Sequence, residues 1–103
     1  KPATAEALGL SLSTLSGELK QKFSIGEDVS GVVVTAVAGN SPAAEKGVRA
    51  GDVILEVGQE EVKSPGDVAS KVEEARKANR KSLLLLIDRQ GDLRFVALRI
   101  DRG

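Results

Sequence analysis

The stretch that most limits what this chain can become is Gly31-Val32-Val33-Val34-Thr35-Ala36-Val37. Four of its seven residues are valine and a fifth, Thr35, is also β-branched, so the run favours extended backbone and is nearly continuously apolar. A segment of that kind belongs in the middle of a sheet, covered on both sides. The rest of the 103 residues must be arranged to cover it.

Two local signals show how. Ser41-Pro42 and Ser64-Pro65 each place a capping hydroxyl before a proline at the first helical position, and Gly47 ends the first of these helices after one or two turns. Behind the second, Val68, Val72 and Ala75 recur at i, i+4 and i+7 with Ala69 beside them, while Lys71, Glu73, Glu74, Arg76 and Lys77 point outward. This predicts the main helix, ending near Asn79. Val53 to Val57, Ser82 to Ile87 and Leu93 to Ile100 read as strands, with Glu61-Val62 as a short pairing. Turns fall at Arg49-Ala50-Gly51-Asp52, Gly58-Gln59-Glu60 and Arg89-Gln90-Gly91-Asp92. Near the start, Ser13-Thr14 offers a cap to a short helix with Leu15, Leu19 and Phe23 on one face.

The order strand, short helix, strand, short helix, strand, turn, long helix, hairpin predicts the α+β class. The expected architecture is a small, partly open β-barrel or sandwich of five to six strands, capped by one long and one or two short helices. Residues 1–7 carry little pattern and read as a linker remnant, residues 8–100 as the domain and residues 101–103 as a C-terminal tail. Phe23 and Phe95 are the only aromatic residues, so the core must be built from Val, Leu, Ile and Ala.

Composition removes several function classes. With no His and no Cys there is no Ser-His-Asp or Cys-His arrangement, no thiol nucleophile and no disulfide, and any metal would need all-oxygen ligands. No metal or other cofactor is expected. Lys plus Arg and Asp plus Glu each number 15, so no basic excess draws the chain to nucleic acid or an anionic membrane. No apolar run approaches the roughly 18 to 20 residues of a membrane span. The opening Lys1-Pro2-Ala3-Thr4 lacks the apolar stretch of a signal peptide, and both ends read as those of a piece of something longer. The pairs Glu60-Glu61 and Glu73-Glu74 sit on adjacent positions that do not face each other, and so does Ser70-Lys71. They read as solvated surface, and Gly47, Gly51 and Asp52 as turn and cap formers.

What remains is Leu8-Gly9-Leu10-Ser11-Leu12, apolar at alternate positions with a glycine where the strand begins. It reads as an unpaired sheet edge beside an amphipathic helix, a recognised way of capturing an extended peptide, with Gly9 letting another backbone come close.

The block from Ser41 to Leu55, Ser-Pro-Ala-Ala-Glu-Lys-Gly-Val-Arg-Ala-Gly-Asp-Val-Ile-Leu, resembles the core signature of PDZ domains. The opening Leu8 to Leu12, followed by Ser16-Gly17-Glu18-Leu19, and the closing Arg94-Phe95-Val96-Ala97-Leu98 are similar to the bacterial, circularly permuted type. They are most like the last PDZ domain of periplasmic HtrA (Do-type) serine proteases. The resemblance implies that Leu8-Gly9-Leu10 forms a loop whose backbone amides hold a peptide's terminal carboxylate, as an amide nest can. It implies a pocket for the terminal side chain lined by Leu8, Leu10 and Leu12 and closed by Val72, with Ala69 and Pro65 further along the groove and Ser11 facing away.

The function expected on this reading is non-catalytic peptide recognition for a periplasmic HtrA-type protease, by strand addition of extended or C-terminal hydrophobic segments. The partners implied are unfolded-protein C-termini, the protease domain of the same chain and other copies of a homo-oligomeric parent. The alternative is an architectural domain that docks onto another domain or subunit. Catalysis by the domain itself is disfavoured, because nothing here supplies a general base that titrates near neutrality.

Overall fold

The β-branched run forms a central strand, with Val32, Val33 and Val34 wholly buried and so covered from both faces. The structure, a computed structural model, describes residues 9–26, 29–89 and 91–100 in full and residues 3–5 by their backbone. In chain order the described elements are β1 (Ala3–Ala5), β2 (Leu10–Thr14), α1 (Gly17–Lys22), β3 (Val32–Val37), α2 (Pro42–Glu45), β4 (Val53–Val57) and β5 (Glu60–Glu61). They are followed by α3 (Pro65–Lys77), β6 (Ser82–Arg89) and β7 (Asp92–Arg99). All strands join one antiparallel sheet in the order β1-β2-β3-β4-β6-β7, with β5 paired to β4.

The expected α+β class is what the chain adopts. Among the described residues the sheet has seven strands, one more than the five to six expected, because Ala3–Ala5 pairs into it although residues 1–7 carry little pattern. The short pairing after β4 involves Glu60 and Glu61 rather than Glu61 and Val62.

Both Ser-Pro starts behave as their local chemistry requires. The hydroxyl of Ser41 accepts from Ala44 N and that of Ser64 from Asp67 N, at 3.2 and 3.3 Å. Asp67 in turn accepts from Lys63 N at 3.0 Å, so two donors at the start of α3 are satisfied reciprocally. The cap of α1 differs from expectation. It is Ser16, accepting from Leu19 N, and not Ser13 or Thr14. Those two residues are held in β2 by pairing with Val33 and Val32, which delays the helix and leaves Leu15 and Phe23 outside it. No residue of α1 is fully buried.

One face of the sheet, carrying Leu12, Val34, Ile54, Leu85 and Ile87, packs on Val68, Val72 and Ala75 of α3 to form the core. Val33 and Val53, paired across β3 and β4, are buried on the other face. The core is aliphatic as expected, and Phe95 is 63% exposed on β7.

At the far end, Asp52 is 1% exposed and fixes the turn before β4. Its Oδ1 accepts from Arg89 Nε and its Oδ2 from Arg89 Nη2, both at 2.8 Å, while Oδ2 also accepts from Arg49 N at 3.0 Å. Arg89 Nη2 reaches on to Gly47 O at 2.7 Å. Thus one guanidinium ties the end of α2, the turn and β6 together, as the structural reading of Gly47 and Asp52 requires.

Candidate functional site

Gly9 enters β2 with φ +77°, a left-handed conformation that glycine adopts without strain. Its carbonyl accepts from Ala38 N at 2.8 Å, anchoring the turn to the end of β3. The neighbour that comes close to Gly9 is the Ser41 side chain, which a Cβ on Gly9 would overlap. So the glycine is needed by the fold of this turn, whatever else approaches it. Leu8 lies outside the described residues.

Beyond Gly9, Leu10 and Leu12 are 2% and 0% exposed and Ser11 is half-buried between them. The Ser11 carbonyl accepts from Thr35 Oγ1 at 3.1 Å, at a bulge where β3 carries one residue more than β2. This side chain reinforces the β2–β3 ladder where its register shifts.

The other edge of β2 is not unpaired, contrary to expectation. β1 runs antiparallel along it with Ala3 opposite Leu12, Thr4 opposite Ser11 and Ala5 opposite Leu10. β1 also lies against α3, so an extended backbone runs beside both β2 and α3. No signal in Ala3-Thr4-Ala5 announced a strand. It is extended because β2 offers it a row of hydrogen-bonding groups.

α3 flanks this edge. Pro65, Ala69 and Val72 recur at i, i+4 and i+7, and the same stripe continues to Arg76. Pro65 and Val72 are buried and Ala69 is exposed, which puts Ala69 at a rim. Val72 is also part of the core with Val68. Arg76, read from sequence as outward-pointing, is half-buried, and its Nε is buried with no hydrogen-bond partner among the described residues. Its place one turn after Val72 was the signal that could have marked it. Lys71, also read as outward, donates to Glu60 and fastens α3 to β5. That hydrogen bond raises the Lys71 pKa, with the nearby carboxylates adding to it against a smaller effect of desolvation.

Among the described residues no group of three His, Cys, Asp or Glu could hold a metal ion, and no helix is long and apolar enough to cross a membrane. The chemistry available along β2 and α3 is that of a backbone ladder on one side and small apolar side chains on the other.

Residues 6–99 match the family described as PDZ domain. A relative from Brucella suis biovar 1 (strain 1330), named probable periplasmic serine endoprotease DegP-like, is 45% identical over 76 residues, which are 74% of this chain and 15% of the relative. A relative of the same name from Rhizobium meliloti (strain 1021) is 35% identical over 105 residues, covering 99% of this chain and 21% of its own length. The chain therefore spans about a fifth or less of these relatives. Among solved structures, the HtrA-type protease AlgW with a decapeptide is similar over 89% of this chain and 27% of its own, at TM-score 0.75 and 27% identity. The HtrA3 PDZ domain bound to a phage-derived ligand shares the fold over 98% of this chain and 86% of its own, at TM-score 0.71 and 23% identity.

Proposed function

The chain belongs to the PDZ domain family, and on that premise we propose that the groove between β2 and α3 takes an extended peptide segment as an added antiparallel strand. The observation that carries this reading is the edge of β2 itself. It pairs with an extended backbone while that backbone lies against α3, which is the geometry strand addition needs. The main-chain ladder supplies sequence-tolerant affinity, and Leu10, Leu12 and Val72, with Leu8, select an aliphatic terminal residue. Pro65 and Ala69 meet residues further from the end, and Ser11 faces away.

Arg76 adds a charge to this arrangement. Its buried Nε, without a partner among the described residues, stands on the same stripe as Val72, and a peptide's terminal carboxylate is the group that would satisfy it at least cost. The relatives are named periplasmic serine endoproteases, and periplasmic is the location of this chain. In the parent protein the domain recognises unfolded-protein C-termini or hydrophobic segments and presents them to a protease domain elsewhere in a homo-oligomer.

The test is fluorescence polarisation with a labelled peptide ending in Val, compared with its C-terminal amide. The free acid should bind saturably and the amide at least about tenfold more weakly. Arg76→Gln should remove most of that difference. Absence of saturable binding by both peptides would refute the groove reading.

The architectural alternative is favoured by Leu93 and Phe95, which are 62% and 63% exposed at alternate positions of the edge strand β7. If docking through that face is the main role, Phe95→Ser should abolish self-association and leave peptide affinity unchanged.

A further inference from the structure

We propose that β1 is a built-in competitor for the peptide groove, a strap that must leave β2 before a ligand can bind. The proposal rests on the groove reading above and goes beyond it, because it assigns the groove an occupant from this chain. Three successive residues, Ala3, Thr4 and Ala5, are in register with Leu12, Ser11 and Leu10, and the strand they form touches α3 as a ligand strand would. The ladder positions on β2 that a peptide needs are those that β1 uses. The two cannot be satisfied at once.

The connection from Ala5 to Leu10 is short, so the strap is held beside its site at a high effective concentration. Its residues are Ala, Thr and Ala, which offer the groove a backbone but little apolar area. A peptide with large aliphatic residues brings burial that the strap lacks and can displace it, whereas a segment with only its backbone to offer gains nothing over β1. The strap thus sets a threshold of absolute affinity that a ligand's own burial must exceed, while the ratio of affinities between ligands stays the same. If it is closed about nine-tenths of the time, apparent affinity falls about tenfold for every peptide.

The experiment compares the 103-residue chain with Thr4→Pro/Ala5→Pro. Of two successive strand residues, one aims its N–H at the neighbouring strand, so the pair of prolines removes at least one ladder donor and stiffens the strap against pairing. Two readouts are taken: amide hydrogen exchange at Leu10, Ser11 and Leu12, and affinity for the Val-ended peptide. The carbonyls of Gly9 and Ser11 face β3, where Ala38 N and Thr35 Oγ1 donate to them, so the amides that face β1 are those of Leu10 and Leu12. The expected result is protection of those amides in the parent chain, its loss in the variant, and a several-fold gain in the variant's peptide affinity. Equal exchange in the two proteins, or equal or weaker peptide binding by the variant, overturns the strap while leaving the groove intact. No peptide binding by either protein overturns the groove reading and the competition with it. Protection that grows with protein concentration would mean that the strand comes from a second copy, and would overturn a strap acting within one chain.

Discussion

Gly9 and Ser41 are packed so closely that a Cβ on the glycine would overlap the serine side chain. Ser41 cannot easily yield, since its Oγ donates to Ala38 O at 2.7 Å while accepting from Ala44 N to cap α2. The turn into β2 and the start of α2 are therefore one unit, joined also by Ala38 N donating to Gly9 O. Gly9→Ala should lower stability by about 2 to 4 kcal/mol, from the left-handed backbone and the overlap together. Gly39→Ala, where a Cβ meets nothing, should cost within about 0.5 kcal/mol. Urea midpoints compare the two, and equal midpoints would contradict the packing.

The Asp52–Arg89 pair should matter more than surface ion pairs do, because the carboxylate is buried and also holds Arg49 N. Asp52→Ala should destabilise by about 3 kcal/mol, with no gain from restoring charge elsewhere. Hydrogen bonding to Asp52 raises the Arg89 pKa, and the nearby carboxylate charge adds to this. For a cationic group with a raised folded-state value, the stabilisation is complete below the ordinary arginine value and lost only as pH climbs through the raised one. From this pair, then, no loss of stability should occur as pH rises from about 6 to about 9. A decline in thermal midpoint that is specific to the parent chain and absent from Arg89→Met would show that the pairing is misassigned.

Val68 and Val72 lie one turn apart on α3 and both are buried, but only Val72 shares the stripe with Pro65 and Ala69. Val68→Ala should lower stability by about 0.5 to 3 kcal/mol and leave peptide affinity within about twofold. Val72→Ala should also cost stability and should in addition weaken binding of a Val-ended peptide at least about threefold. Isothermal titration well below the unfolding temperature separates the effects. Affinity controlled by Val68 and not by Val72 would mean that the ligand meets a different face of the helix.

Pro65, the first residue of α3, has no side-chain donor to offer a ligand hydroxyl. A peptide with Val two residues from its end should bind more tightly than its Thr counterpart, because the hydroxyl loses solvation and gains no partner. Matched peptides in fluorescence polarisation test this. Preference for Thr would assign selection to a polar group other than position 65.

The elements legible in the sequence are those whose causes are local. Ser41-Pro42 and Ser64-Pro65 start helices through a hydroxyl and an amide three residues apart, and Val32 to Val37 is a buried strand because its side chains allow little else. The buried face of Val68, Val72 and Ala75 follows from helical spacing alone. Arg76 lies one turn after Val72, yet a charged residue on a helix is ordinarily solvated, so only packing could reveal that its Nε is enclosed.

Three features depended on residues far apart in the chain. The reason for Gly9 is Ser41, 32 positions away, and nothing near Gly9 encodes it. The start of α1 was set by Val32 and Val33, whose pairing with Thr14 and Ser13 outcompeted the caps those residues offered. Most consequential for function is β1, since Ala3-Thr4-Ala5 has neither the alternation nor the branched side chains that mark a strand. The sequence by itself determined the class of fold and the buried faces of β2 and α3, because side-chain periodicity is a local property. Only the tertiary structure decided that β1 pairs along β2, because an edge strand's free backbone groups recruit whatever chain lies within reach, and side-chain pattern carries no record of reach.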